Sequence, residues 1–564
     1  MFATPIRKFL WGQSLARFVP QRKVTSAGTF SSFIGGRRVV GRGRTLRIES
    51  PSDAIIVAEM KSVDPVDEVN EAVAYARGLV SSPTSVAVLT VAERQAFLRR
   101  IACKIRARAK ELAYAESLSC GMCLRDAMVT VESSAACFDT IATLLTYPQL
   151  QQQQSDEGKT SSSSLWPLAT RDIHPGFRPD AFRSQSAFSP VGVVALVTPF
   201  NYPLEMFAWK AAPAIAAGNA VIWKPPEASP LSSFIMLDIF DSEEDERARG
   251  LVQVLQGDSF VGAALSSHHG VDMIAFTGST AIGKQIQVSA AQSNLKRVQL
   301  ELGGNGCVVV SNSIFTPPPP LWSTSTDGGG NLSSVIGIDE LLDVAMQCFS
   351  NSGQSCTSSR RIYVPEAHAM SFIQKLCPRV AARKVGHALD SETQQGPLIS
   401  AASLDRALTT VRQASCRPGV SLVAGGFSPV LPKGYFMAPT VLYCTDPKAD
   451  VVQHEMFAPV LCVIPYKSGD SSNAEEGGGG SIAEAVRLAN DTTYGLSSVV
   501  MTNIPEEAQW AQQHLQSGTV WVNCVDEMGG VTPFGGWKQS GYGKDLGVAS
   551  IQGYSNVKTI TTRI

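Results

Sequence analysis

Short, continuously apolar runs alternate along this chain with longer stretches whose apolar positions recur at helical spacing. Residues 191–197, 220–223, 273–276 and 307–310 are runs of the first kind and read as buried strands. Residues 204–217 and 283–291, lying between them, have helical patterning. Strand, helix and strand in succession predicts an α/β fold, a doubly wound (Rossmann-like) parallel sheet with ligands at the strand carboxyl ends. The tail Asn556-Val557-Lys558-Thr559-Ile560-Thr561-Thr562 has an alternating strand pattern and would be an aggregation hazard if left unpaired.

At 564 residues the chain is too long for one ordinary core, so two or more domains are expected. Its 44% hydrophobic and 17% charged residues describe a packed globular protein rather than a disordered one. A formal net charge of −1 gives no electrostatic case for nucleic acid or an anionic membrane, so neither partner is expected. No apolar run reaches the ~18 residues of a membrane span. The nearest, 206–223, is broken by Lys210, Pro213 and Asn219, and a soluble protein is expected.

Twelve cysteines without a regular framework favour reduced thiols over a disulfide-stapled secreted domain. Cys120 and Cys123 form a Cys-x-x-Cys in a helical-looking sequence with no second pair. A structural role is favoured there over redox or zinc chemistry, and no metal site is assigned. Residues 1–26 hold Arg7, Lys8, Arg17, Arg22 and Lys23 and no acid, while Phe2, Ile6, Phe9, Leu10, Trp11, Leu15 and Phe18 can share one helical face. That composition fits a mitochondrial (matrix) targeting segment better than a secretory signal. A basic tail with no address, on a cytoplasmic protein, is the alternative. Segments 150–164, 317–330 and 469–480, rich in Gln, Ser, Pro and Gly, read as surface insertions on a compact scaffold.

Candidate chemistry gathers at the strand ends. After the first strand comes Thr198-Pro199-Phe200-Asn201, after the second Lys224-Pro225-Pro226-Glu227, and after the third Thr277-Gly278-Ser279-Thr280, opening a helix. A glycine and a hydroxyl at a helix N-terminus can offer N–H groups to a phosphate, and a lysine with an acid three residues on can bracket a ribose. Further on stand Glu301-Leu302-Gly303-Gly304-Asn305 and Gly353-Gln354-Ser355-Cys356. A thiol and a carboxylate suit a two-step reaction, in which a covalent intermediate forms on sulfur and water activated by the acid releases it.

These motifs, with Glu455-Met456-Phe457-Ala458-Pro459 and Pro533-Phe534-Gly535-Gly536-Trp537-Lys538-Gln539-Ser540-Gly541, resemble the aldehyde dehydrogenase superfamily in content and order, from about Phe33 to the C-terminus. The resemblance implies an NAD(P)-dependent, hydrolytic enzyme acting on a small-molecule aldehyde. Cys356 is implied as the nucleophile that forms a thiohemiacetal and then a thioester. The Asn201 amide with the Cys356 N–H is implied as the oxyanion hole, Glu301 as the general base for water, and Lys210 as a supporting cation. For the cofactor, the resemblance implies Lys224 and Glu227 at the adenosine ribose and Gly278 and Ser279 at the pyrophosphate. It also implies Glu455 and Phe457 at the nicotinamide ribose, with Thr198, Pro199, Phe200, Gly283 and Leu302 completing the set. A carboxylate at Glu227 repels a 2′-phosphate, so NAD is favoured over NADP. Glu301 disfavours the alternative of a coenzyme A-acylating member; a nucleotide-binding structural protein with little turnover is a third reading.

Two departures stand out. Ala458 occupies a position where many members have glycine, which asks for a negative φ or a local adjustment. Phe200 replaces a common tryptophan. Cys307, Cys348 and Trp209 read as packing residues, His454 as a solvated or packing one, and Trp537 as lining the pocket or packing in the core. The implied architecture has an NAD-binding domain at 31–300 and a catalytic domain with the thiol nucleophile at 301–522. A small β element of 179–189 and 556–564 would join subunits in a homodimer or homotetramer. Substrate choice falls to residues near Phe200, Met206, Ser355, Thr357 and Asp526, and an aliphatic or amino-derived aldehyde is the expectation.

Overall fold

The computed structural model describes residues 31–81, 89–146, 181–245, 248, 250–316, 335–429, 431, 433–468 and 480–563. The targeting segment and nearly all of the three insertions lie outside the described residues. Two large sheets organise the rest. In the first, five strands run parallel in the order Arg297–Glu301, Met273–Thr277, Val193–Val197, Ala220–Lys224 and Val252–Val254. Antiparallel strands close both edges, Gly541–Tyr542 at one and Ser32–Ile34 with Arg37–Val39 at the other. Every residue of Val193–Val197, Ala220–Lys224 and Met273–Thr277 is buried, which is why their sequences are continuous apolar runs rather than alternations.

Helices connect these strands and pack on the sheet. Pro203 opens the helix Pro203–Ala216, where its missing N–H leaves no intrahelical bond unmade. Ser279 caps Thr280–Gln292, its hydroxyl accepting from the Ile282 N–H.

The run at 307–310 belongs elsewhere. Cys307–Val310 lies within the second sheet, between Arg361–Pro365 and Ser497–Met501 and parallel to both. Val460–Tyr466, Thr440–Cys444 and Thr519–Val522 extend that sheet in parallel, and Val420–Ala424 adds one antiparallel edge. Cys120 and Cys123 do not share a helix, as their sequence suggested. Ala109–Cys120 ends at the first, Gly121 is left-handed (φ 80°), and Leu124–Leu144 begins after the second. Both thiols are buried, and burial pushes Cys123 up to about 12.

The tail forms a separate ribbon. Ser555–Arg563 pairs antiparallel with Phe182–Pro190 along nine residue pairs, apart from both large sheets. Most of the tail strand is exposed, Val557 and Ile560 included. Among the described residues no helix is long and apolar enough to cross a membrane.

Candidate active site

Four parallel strands of the first sheet end at one cavity of about 860 Å³. Val197, Lys224, Thr277 and Glu301 are their last residues, held level by register: Val197 lies opposite Lys224, and Glu301 opposite Thr277. Thr198, Pro199, Phe200 and Asn201 continue the first strand along the cavity wall. The Trp223 indole N–H donates to the Thr198 hydroxyl at 2.9 Å, fixing that turn. Lys224 is buried and its ammonium pairs with Glu227 at 2.7 Å, the acid reaching toward solvent. Gly278 and Ser279 line the cavity next to the Thr277 hydroxyl, which is buried and has no hydrogen-bond partner. Gly283, one turn into the helix, instead faces Leu302; a side chain there would collide with the leucine. Leu302 itself lines the cavity.

The loop that carries Cys356 is built differently. Asn351, Ser352 and Gly353 are all left-handed, at φ 45°, 57° and 70°. That conformation costs the two non-glycine residues free energy, so the surroundings must hold it. They do so with hydrogen bonds. The Asn351 amide donates to the Asn201 carbonyl at 3.0 Å, and the Asn201 amide donates to the Gln354 carbonyl at 2.8 Å. Ser352 donates to the Gly396 carbonyl at 2.6 Å, and the Ile399 N–H donates to the Gln354 side chain at 2.9 Å. The Arg360 guanidinium, 2% exposed, donates to the carbonyls of Gly353 (2.7 Å) and Ser355 (2.8 Å) and lies 3.5 Å from Glu455. On the opposite side the Cys356 carbonyl presses on Gly304, where a Cβ would have no room.

Cys356 is half-buried and faces the cavity. Burial, then the negative charges of Glu455 and Glu301, push its thiol up to about 12, with Arg360 pulling the other way. Glu301 is buried, and neither carboxyl oxygen makes a hydrogen bond of ordinary geometry. Its proton affinity lies well above the usual carboxylate range, first through burial and then through Asp545, against the pull of Lys210, Lys544 and the Gly536 amide. Lys210 does not pair with Glu301. Its ammonium bonds Asp545 at 2.7 Å, both groups fully buried, and Gln299 also donates to that acid at 2.7 Å. Glu455 accepts from the Gly304 N–H at 3.1 Å, and burial raises its proton affinity.

Phe457 sits edge-on to Phe200, with ring centroids 5.8 Å apart. It is left-handed at φ 48°, whereas Ala458 has no positive φ, so the local adjustment falls one residue before the alanine. Met206, Ser355, Thr357 and Asp526 reach the cavity. Trp209 packs against Phe534 at 5.2 Å and also lines the cavity, while Trp537 stands half exposed, away from the core. Cys307 and Cys348 are core residues, and His454 is exposed.

Sequence reasoning missed Arg360, Asp545 and Glu205, the last an acid on the cavity wall that accepts a hydrogen bond from the Ser133 hydroxyl. Arg360 is one of two adjacent arginines at the start of the strand Arg361–Pro365, with nothing in the local sequence to mark it as buried. Asp545 follows a lysine in a glycine-rich turn. Glu205 looks like an ordinary acid in a first helical turn. Only Asp545 left a signal, since a lysine at position 210 within an apolar helix demands a buried counter-ion.

The aldehyde dehydrogenase family matches residues 39–314 and 337–560, leaving out the stretch that contains the insertion at 317–330. Peroxisomal aminoaldehyde dehydrogenase 1 of Pisum sativum is 35% identical over 471 residues, 83% of this chain and 82% of that protein. Mitochondrial aldehyde dehydrogenase of Homo sapiens is 35% identical over 384 residues, 68% of this chain and 67% of that protein. Among solved structures, the NAD+ complex of an aldehyde dehydrogenase from Bacillus cereus superposes with a TM-score of 0.80. Its identity is 28%, with 95% of this chain and 96% of that chain covered.

Proposed function

Because the chain belongs to the aldehyde dehydrogenase family, we propose that it oxidises an aldehyde to a carboxylic acid with NAD, through a thioester on Cys356 that water releases. The observation that carries this reading is the convergence of Cys356, Glu301 and Asn201, from three separate elements, on one cavity.

Cys356 sulfur adds to the aldehyde carbon, and the carbonyl oxygen becomes an oxyanion. The Asn201 amide has two N–H groups and one holds the Gln354 carbonyl, so the other remains to meet that oxyanion. Lys224 and Glu227 would bracket the adenosine ribose, and the unpartnered Thr277 hydroxyl with the amides after it would meet a pyrophosphate. A nicotinamide dinucleotide bound there supplies the hydride acceptor. The Glu227 carboxylate favours NAD by repelling a 2′-phosphate. Glu301, unpaired and with a raised proton affinity, takes the proton of the water that attacks the thioester, which favours hydrolysis over transfer to coenzyme A. The Lys210–Asp545 pair acts through Glu301, fixing the charge behind it.

The ribbon of Phe182–Pro190 and Ser555–Arg563, whose tail strand is mostly exposed, would extend a neighbouring subunit's sheet, giving a homodimer or homotetramer. Residues 1–26 would direct the protein to mitochondria, ahead of the family match that starts at residue 39.

A panel of aldehydes with NAD and NADP, followed by reduced-nicotinamide absorbance, tests the reading. Turnover with NAD, independent of coenzyme A and abolished in Cys356→Ser, is expected. Measurable NAD binding with no turnover of any aldehyde would sink it.

A further inference from the structure

Burial and the acids Glu455, Glu301 and Asp526 all hold the proton on Cys356. Among the charges that act most strongly on that sulfur, one cation opposes them, Arg360. The lysines of the site are engaged elsewhere. Lys210 is held by Asp545, Lys224 by Glu227, and the Lys544 ammonium donates to the Gly535 carbonyl at 2.9 Å.

The buried guanidinium of Arg360 joins four segments. One terminal nitrogen donates to the carbonyls of Gly353 and Ser355, at 2.7 and 2.8 Å, and Ser355 is the residue before Cys356. The other donates to the Gly304 carbonyl at 3.3 Å and lies 3.5 Å from Glu455. The group stands 5.7 Å from the centre of the Phe457 ring.

Anchoring a loop does not require a charge. Neutral amides suffice for carbonyls of the same loop region, where Asn201 holds Gln354 and Asn351 holds Asn201. A buried guanidinium is costly unless a counter-charge accompanies it. Glu455 compensates it only in part. That contact is long, the same carboxylate oxygen also accepts from the Gly304 N–H, and the buried Arg360 Nε–H has no hydrogen-bond partner. Positive charge therefore remains to act on the sulfur of Cys356 when it becomes negative.

We propose that Arg360 is the positioning residue for the nucleophile: by holding the Ser355 carbonyl it aims Cys356, and its charge stabilises the negative sulfur against Glu455. This rests on the reading of Cys356 as the nucleophile. Glu455 then acts in two ways. It would hold the nicotinamide ribose, and in the empty site it tempers the sulfur by sharing the guanidinium. Removing the cation and removing the acid should move the sulfur's reactivity in opposite directions, which a purely structural role does not predict.

The test is alkylation of the full chain by iodoacetamide without cofactor, each cysteine being followed by peptide mass spectrometry. At a pH of about 8 the Cys356 thiolate is the minor form, so its rate tracks that population. Cys356 should react about 3- to 10-fold more slowly in Arg360→Met than in the wild type, and faster by a similar factor in Glu455→Gln. Arg360→Lys keeps a charge but loses the fork, and should fall between the wild type and Arg360→Met. Cys103, which is exposed, calibrates the reagent. Cys348, a core residue whose carbonyl accepts from Ser358 after the thiol, should stay unlabelled while the loop is intact. Labelling of Cys348 in Arg360→Met would mark collapse of the loop, and Glu455→Gln then decides. An unchanged or slower Cys356 rate in Glu455→Gln, with Cys348 unlabelled, overturns the proposal, as does an unchanged rate in a folded Arg360→Met. No aldehyde is consumed, so this failure and the failure of aldehyde oxidation are read separately.

Discussion

The two ends of the cavity present polar groups by opposite means. At one end Thr198, Lys224 and Thr277 stand where parallel strands stop, on backbone of ordinary geometry, and the sheet's register alone brings them level. At the other end Cys356 follows three successive left-handed residues, held by a buried guanidinium and by amides reaching in from distant segments. A sheet distributes its positioning over many hydrogen bonds. The thiol loop concentrates it in a few groups that cannot change singly. The strand-end side should therefore yield gradually to substitution, and the thiol side abruptly.

Arg360→Met should break the thiol side most severely. It strips three backbone carbonyls and Glu455 of a buried cation, and losing one partner of such a set typically costs about 3–5 kcal/mol. A guanidinium melt should show the lowered midpoint; a midpoint matching the wild type would mean that the loop holds itself. Asn201→Ala should lower kcat by about 10²–10³ while NAD affinity stays near the wild-type value. A loss shared equally by NAD binding would mean that the residue supports the fold rather than the oxyanion.

The pH profile is next in size. Glu301 works as a base only when ionised, and burial raises its proton affinity, so activity is lost as pH falls through that raised value and recovers as pH rises. A plot of log kcat should climb with pH at a slope near one, about tenfold per pH unit, over the range in which Glu301 ionises, and a flat acid limb would exclude an ionising base. Glu227→Gln on the strand-end side should have the smallest effect, a change of a few-fold in the KM for NAD with a gain for NADP, because its partly exposed ion pair with Lys224 is worth about 1 kcal/mol or less. A collapse of activity there would erase the contrast between the two ends.

The contrast also governs what the sequence revealed. The strands at 193–197, 220–224 and 273–277 were legible because parallel strands buried on both faces are continuously apolar. The same pattern at 307–310 says nothing about which sheet receives it, and that strand lies in the second. Cys356 and Glu301 stood out through their small-residue settings. The groups that position them did not, because Lys210 and Asp545 lie 335 residues apart and Arg360 meets its carbonyl partners only after folding. Gly283 was read as one of the cofactor residues; in the structure it lies against Leu302, where an added side chain would meet the leucine. The carboxylate of Glu205 was invisible for the opposite reason: an acid in a first helical turn is common and needs no ligand to explain it.

The central claim is that Cys356 carries the acyl group and Glu301 governs its release. Intact-protein mass spectrometry of Glu301→Gln, mixed with NAD and an aldehyde that the wild type oxidises, tests it most directly. The account predicts a mass increase equal to the acyl group, mapped to Cys356, persisting after NADH has formed in a single burst, and absent from Cys356→Ser. NADH formation in that variant with Cys356 unmodified throughout would contradict it.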